Sequence, residues 1–211
     1  MDLATVLTEL RKMVDADTSE AKVHAFLEAH PILLLASLQY WNTVGDVIIT
    51  QFPFGADFRA DFAFLTYSNT HGLWLHLVEL ERPSLNLFTS SDEFTAAANH
   101  AFQQLHDWAS WCNSHRESLL YTLAPLVKHT PGSSLFFNIS CVLIAGRRSE
   151  VSTPRRQERL TTRANLQRGD IRFNTWDGFI ERADTMRPIY EAADETSVRC
   201  VSYKTQGLYE K

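Results

Sequence analysis

Apolar residues at the start of the chain recur three and four positions apart: Leu3, Val6, Leu7, Leu10 and Val14. That spacing predicts a helix over 2–15. Asp17, Thr18 and Ser19 offer caps for a second helix over about 19–29, with an apolar stripe at Val23, Phe26 and Leu27. Pro31 stops it, because the residue before a proline is driven out of the helical region. The apolar run 33–38 reads as a further short helix. The period then changes. Residues 46–54 read as a strand, Gly55-Ala56-Asp57 as a turn, and 58–65 and 73–81 as two strands joined by the polar turn around Ser68-Asn69-Thr70-His71-Gly72. Apolar positions Phe94, Ala97, Ala98, Ala101, Phe102, Leu105, Trp108 and Ala109 predict a long helix over 92–113, opening at Ser90-Ser91-Asp92-Glu93. Helix and loop follow over 114–130. The run 135–145 reads as a buried strand, 155–165 as a helix, 171–175 as a short strand and 176–183 as a helix. Beyond Pro188 the chain is polar. This order predicts an α/β fold, a central mixed sheet flanked by helices. It divides into an N-terminal helical segment (1–22), a main domain (23–187) and a C-terminal tail (188–211).

Composition narrows the function classes. The 211 residues carry a net charge of -5, so the molecule as a whole is not a basic nucleic-acid binder. Three cysteines, Cys112, Cys141 and Cys200, are too widely spaced for a zinc ribbon, and reduced thiols are the default expectation. The N-terminus has no signal-peptide pattern, and no run approaches the ~18 apolar residues of a spanning helix. A cytoplasmic protein with no membrane partner is expected; a homo-oligomer is left open.

The chemistry concentrates at the end of the 73–81 strand. Side chains alternate between faces, so Leu73, Leu75, Leu77, Glu79 and Glu81 share one face, and His76, Val78, Leu80 and Arg82 the other. Two carboxylates thus leave an apolar strand side by side. Asp61, early in the neighbouring strand, can lie across from them. Buried carboxylates are costly unless paired or bound to metal, and three together make a cage for a hard divalent cation. The plainer reading is a solvated strand end, or pairing with Arg59 or Arg82. The eight histidines show no ligand spacing and read as structural or surface residues. Cys112 and His115 lack a third partner for nucleophilic chemistry. An arginine-rich stretch, including Arg147, Arg148, Arg155, Arg156, Arg159, Arg163 and Arg168, is either a solvated face pairing with Glu150 and Glu158 or a phosphate-backbone patch.

The blocks F-L-E-A-H-P (26–31), R-A-D-F (59–62), L-V-E-L-E-R-P (77–83), Q-L-H-D-W (104–108), V-L-I-A-G-R-R (142–148) and F-N-T-W-D-G-F-I-E-R-A (173–183) resemble, in order, those of the Shedu family of bacterial anti-phage nucleases, also catalogued as DUF4263. The resemblance implies a restriction-endonuclease-like PD-(D/E)xK core and a DNA endonuclease using Mg2+ or Mn2+ on phage or plasmid DNA. It implies metal ligation by Asp61 and Glu79, a further glutamate at Glu28, and Gln104 and Trp108 in the family's Gln-x-x-x-Tyr block. Glu81 stands where the family usually has Lys; as a third ligand or a base it would complete the site. Arg147, Arg148, Arg155, Arg159 and Arg163 would meet the DNA backbone. The alternative is a catalytically weakened nuclease-fold module that binds nucleic acid or a protein.

Overall fold

The computed structural model describes residues 2–40, 43–127, 137–166, 171–192, 198–204 and 207–210. Three helices come first: α1 (Leu3–Asp15), α2 (Glu20–Ala29) and α3 (Ile32–Leu38). Asp2 caps α1 by accepting from the Ala4 N–H at 3.0 Å. Strands β1 (Val47–Phe54), β2 (Phe58–Ser68) and β3 (Gly72–Leu80) follow as an antiparallel meander. Helices α4 (Ala96–Ser114), α5 (Arg116–Thr122) and α6 (Ala124–Val127) lead to β4 (Phe137–Ile144). Then come α7 (Pro154–Leu166), β5 (Ile171–Asn174), α8 (Trp176–Ala192), β6 (Arg199–Lys204) and β7 (Gly207–Glu210). The expected loop at 128–130, the start of the 135–145 strand and Arg168 lie outside the described residues.

The strands form one mixed sheet, ordered β5-β4-β3-β2-β1-β6-β7. β3, β4 and β5 run parallel, as do β1 and β6. Helices cover both faces, as the α/β reading requires. On one face Leu73, Leu75 and Leu77 of β3 meet Ala101, Phe102, Leu105 and Trp108 of α4. On the other, Phe62, Val78 and Ile144 meet Leu10, Leu27, Leu34 and Phe179 from α1, α2, α3 and α8. The N-terminal helix therefore shares a core with α8.

Two boundaries differ from the sequence reading. The long helix starts at Ala96 rather than 92, with Thr95 as its cap. Phe94 stacks on Phe88 at 4.8 Å and pairs with it as an isolated bridge, which holds the chain extended until Thr95 Oγ1 accepts from the Ala98 N–H. The last helix does not end at 183 but runs to Ala192, through Pro188. Proline removes one helical hydrogen bond; beyond it Tyr190 is buried and its hydroxyl donates to the Tyr40 carbonyl, which anchors the turn. The polar tail beyond it also supplies β6 and β7 at the far edge of the sheet.

A candidate carboxylate site at the splayed end of three strands

β1 and β2 break their alternation at the same place. Ile49 and Phe52 both face the α4 core, and so do Ala63 and Ala60. Each strand therefore changes face once between those residues, around Gln51 and Asp61. The ladder pairs Thr50 with Phe62 and Phe52 with Ala60, leaving that facing couple unpaired in between. Gln51 takes a φ of 50°, a left-handed conformation uncommon outside glycine. Its amide donates to Asp61 Oδ1 at 3.0 Å. On the other side, the β2–β3 pairing runs from Ser68↔Gly72 to Phe62↔Val78. One step further, Asp61 Oδ2 accepts the Leu80 N–H at 2.9 Å, so a side chain replaces the ladder bond where the strands part. Both oxygens of Asp61 are thereby oriented.

Glu79 leaves β3 toward α4, where the Gln104 amide donates to its Oε1 at 2.8 Å. Glu81, just past the strand, is fixed through its backbone: its N–H donates to the Ile144 carbonyl at 2.9 Å and its carbonyl accepts from Trp176 Nε1 at 2.8 Å. The start of α2 supplies a fourth acid, Glu20. Burial pushes the Glu79 carboxyl up to about 9, helped by the charges of Asp61, Glu81 and Glu20 and opposed by Gln104. Glu81 is raised by burial, then by Glu20 and Asp61, with His100 and Arg82 offsetting part. Glu20 is raised by burial and by Asp61. Asp61 is raised by burial, while the Leu80 N–H, His24 and Gln51 pull it back. Among the described residues, Glu20, Glu79 and Glu81 make no ion pair with Lys, Arg or His.

The four acids are near enough for their charges to act on one another. They do not form a closed cage: among the described residues, no group of three or more His, Cys, Asp or Glu side chains is arranged to hold a metal ion. The donors are nonetheless all carboxylate oxygens, the chemistry that suits a hard cation such as Mg2+ or Mn2+.

Glu28 sits one step removed. It accepts from Thr50 Oγ1 and lies 3.6 Å from His24 Nδ1. His24 stacks on Phe62 with ring centroids 4.5 Å apart. Its Nε2 lies 3.3 Å from the Asp61 carbonyl, 3.9 Å from Asp61 Oδ1 and 3.1 Å from the Gln51 amide. The sequence reading set His24 aside with the other histidines and overlooked Glu20 and Gln51. The signal was present: Glu20, His24 and Glu28 are four apart, one stripe of a helix.

Trp108 is core, its ring edge-on to Phe54 at 5.3 Å. Cys112 is buried, and burial pushes its thiol up to about 12, the wrong direction for a nucleophile. The arginines are engaged with acids far away in sequence rather than with the side chains of Glu150 and Glu158. Arg147 binds Asp177 and Asp15, and Arg148 binds Glu181. Arg155 and Arg159 share Glu93, and Arg156 binds Asp92 at 2.6 Å. Arg163 lies over the Phe102 ring at 5.6 Å. Glu150 instead accepts from the Leu87 N–H at 3.0 Å.

A family model described as Shedu protein SduA, C-terminal, matches residues 17–180, from the turn before α2 into α8 and across Glu20, Glu28, Asp61, Glu79 and Glu81. No curated protein matches the chain. No helix of the described residues is long and apolar enough to cross a membrane.

Proposed function

The chain belongs to the Shedu SduA C-terminal family, and from that premise we propose that it is a metal-dependent DNA endonuclease of PD-(D/E)xK type serving anti-phage defence. The observation that carries this reading is the gathering of Asp61, Glu79, Glu81 and Glu20 with no Lys or Arg at ion-pair distance among the described residues. Acids pushed up together by burial and by one another are a mark of functional sites, and an all-carboxylate donor set suits a hard cation.

Asp61, Glu79 and Glu81 would hold Mg2+ or Mn2+, with some rotation of side chains to close the set. Bound there, the cation supplies charge neutralisation on the scissile phosphate and polarisation of its oxygens. The protein's own groups divide the remaining work. The Leu80 N–H and Gln51 hold the plane of the Asp61 carboxylate. Gln104 fixes one oxygen of Glu79. Glu81, as a third ligand or as a base toward the attacking water, would take up the work that Lys assists in relatives. Arg155 and Arg159, which share Glu93, would exchange that acid for backbone phosphates.

A second reading rests on two observations: the usual Lys is Glu81, and the carboxylates stand apart as an open set. On it the chain is a nuclease-fold module that binds nucleic acid or a protein without cutting. A plasmid-nicking assay with and without Mg2+ or Mn2+ separates the two. We expect nicking only with the cation, and none from Glu81→Ala of unchanged circular dichroism. If no form of DNA is cut and the cation leaves the melting temperature unmoved, the nuclease reading fails and the binding module replaces it.

A further inference from the structure

The segment that follows β3 is held through its backbone, and one long side chain on it is left free. The Glu81 N–H and carbonyl are taken by Ile144 and Trp176. The Arg82 carbonyl accepts from the Leu85 N–H at 3.1 Å and the Gly146 N–H at 3.3 Å. Pro83 is buried, and the Ser84 N–H donates to Asp17 Oδ1 at 3.0 Å, in the turn that leads to Glu20. Residues 81–84 are thus tied to β4, to α8 and to the α1–α2 turn. Arg82 itself is exposed, and among the described residues its guanidinium makes no hydrogen bond, ion pair or ring contact. The pairing with the strand-end glutamates that the sequence allows is not made at ion-pair distance. Arg147, Arg148, Arg155, Arg156 and Arg159, by contrast, each hold an acid.

The charge of Arg82 nonetheless reaches the site. Glu20 and Glu81, raised first by burial and then by other acids of the set, are both drawn part of the way back by it. Two other basic side chains among the described residues act on the acids. His24 is stacked on Phe62 and lies between Glu28 and Asp61. His100, one helical turn before Gln104 on α4, acts on Glu81. Of these groups only a guanidinium is charged at every working pH and offers paired donors that match two phosphate oxygens. A phosphodiester entering this site is an anion approaching a set of acids. One divalent cation does not neutralise four carboxylates, even with Glu79 keeping its proton. The phosphate, and the negative charge that grows on it in the transition state, therefore need a further positive group.

We propose that Arg82 is a catalytic residue: its guanidinium contacts a non-bridging oxygen of the scissile phosphate and stabilises the charge that develops there, while the acids hold the cation. The inference rests on the nuclease reading and adds to it the group that meets the substrate. Nicking of supercoiled plasmid by the full chain, at saturating DNA and Mg2+, tests it together with the Mg2+ midpoint of the melting shift. Arg82→Ala should lower the nicking rate by about 100-fold or more, as when one donor to a developing oxyanion is lost. Arg82→Lys keeps a point charge and loses the fork, and should cut at least about tenfold faster than Arg82→Ala. The Mg2+ midpoint should not rise in Arg82→Ala, because a positive charge beside the cation's ligands has been removed. A group that merely shaped the site would weaken Mg2+ binding along with cleavage. Both variants should melt close to the parent, since the side chain is exposed; if Arg82→Ala does not, Arg82→Gln carries the same comparison. If the parent cuts and the uncharged variant cuts as fast, this proposal falls and the nuclease reading stands. It falls too if Arg82→Lys is no better than Arg82→Ala, or if the Mg2+ midpoint rises with the loss of cleavage. A parent that cuts no DNA overturns both together.

Discussion

Two clusters of half-buried charge among the described residues are treated by the fold in opposite ways. At the junction of α1, β4 and α8, Arg147 donates from Nε and Nη2 to Asp177 at 2.8–3.1 Å and from Nη2 to Asp15 at 2.9 Å. It also reaches the Val14 carbonyl, and the Arg148 N–H adds a donor to Asp177. Burial alone would raise the Asp177 carboxyl, but these donors outweigh it and hold it below its usual value. At the splayed end of β1, β2 and β3 the four acids are all raised. The first cluster is charge used as a clamp, each ion answered by another. In the second, burial and mutual repulsion outweigh what His24, Arg82, His100, Gln51, Gln104 and the Leu80 N–H return. On the proposed function the contrast follows from use: the clamp serves the folded state, and the acids would receive a cation.

The sharpest way to break this comparison is to neutralise one residue in each cluster. Asp61→Asn should reduce metal-dependent cleavage by more than the ~10–100-fold usual for residues that only orient ligands. It should change the stability of the metal-free protein by little, because the repulsion removed offsets the loss of one of the two acceptors that face Gln51 and the Leu80 N–H. Arg147→Ala should do the reverse. It strips charge-assisted bonds from Asp177 and Asp15, at a cost of about 1–3 kcal/mol, or roughly 2–4 °C in melting temperature per kcal/mol for a chain of this size. Melting curves and nicking assays on the same two proteins decide it. If Asp61→Asn melts well below the parent, the acids are a structural cluster and the contrast collapses.

A second, smaller effect is the dependence of stability on pH without metal. Glu79 has a folded value of about 9 against an ordinary 4.5. Between those values the folded chain keeps a proton that the unfolded chain has lost. Its contribution is therefore full below 4.5 and fades as the pH rises through 9. His76, pushed from 6.5 down to about 3, works the other way, but only below 6.5. The interval from pH 7 to 9 therefore isolates the acids. In a chelator, melting temperature should fall across it, and Glu79→Gln should flatten the fall. A parent curve already flat from 7 to 9 would remove the frustrated cluster.

How far the sequence alone reaches can be seen in the same residues. The two-residue period of 73–81 brings Glu79 and Glu81 to one side, and a neighbouring strand brings Asp61 opposite, because both are local regularities. Gln51 was invisible, since a left-handed glutamine inside a strand has no compositional mark. The partners of the arginines were hidden for a different reason. Arg147 and Asp15 are 132 residues apart, and Arg159 and Glu93 66 apart, so only the packed helices bring them together. The helix start at Thr95 was displaced by a tertiary contact, Phe94 on Phe88, that overrides the capping signal at Ser90-Ser91. β6 and the edge strand β7 carry no apolar alternation strong enough to announce themselves.

His24 lies between the two kinds of charge, and it gives the smallest and most discriminating effect. It is flanked by Glu28 at 3.6 Å and Asp61 at 3.9 Å, so it is the one basic side chain among the described residues that contacts the acids at salt-bridge range. If it belongs to the clamp type, its removal should act on stability. If it orients Asp61 for a cation, its removal should act on metal affinity. The stack on Phe62 accounts for about 0.5–1.5 kcal/mol, so His24→Ala should melt only a few degrees lower. Cleavage at limiting Mg2+ should drop by about 10–100-fold, as for residues that hold ligands in place. Much of that loss should return at saturating Mg2+, because the ligands themselves remain. A large fall in melting temperature with an unchanged Mg2+ midpoint would move His24 into the clamp and leave Asp61 oriented by Gln51 and the Leu80 N–H alone.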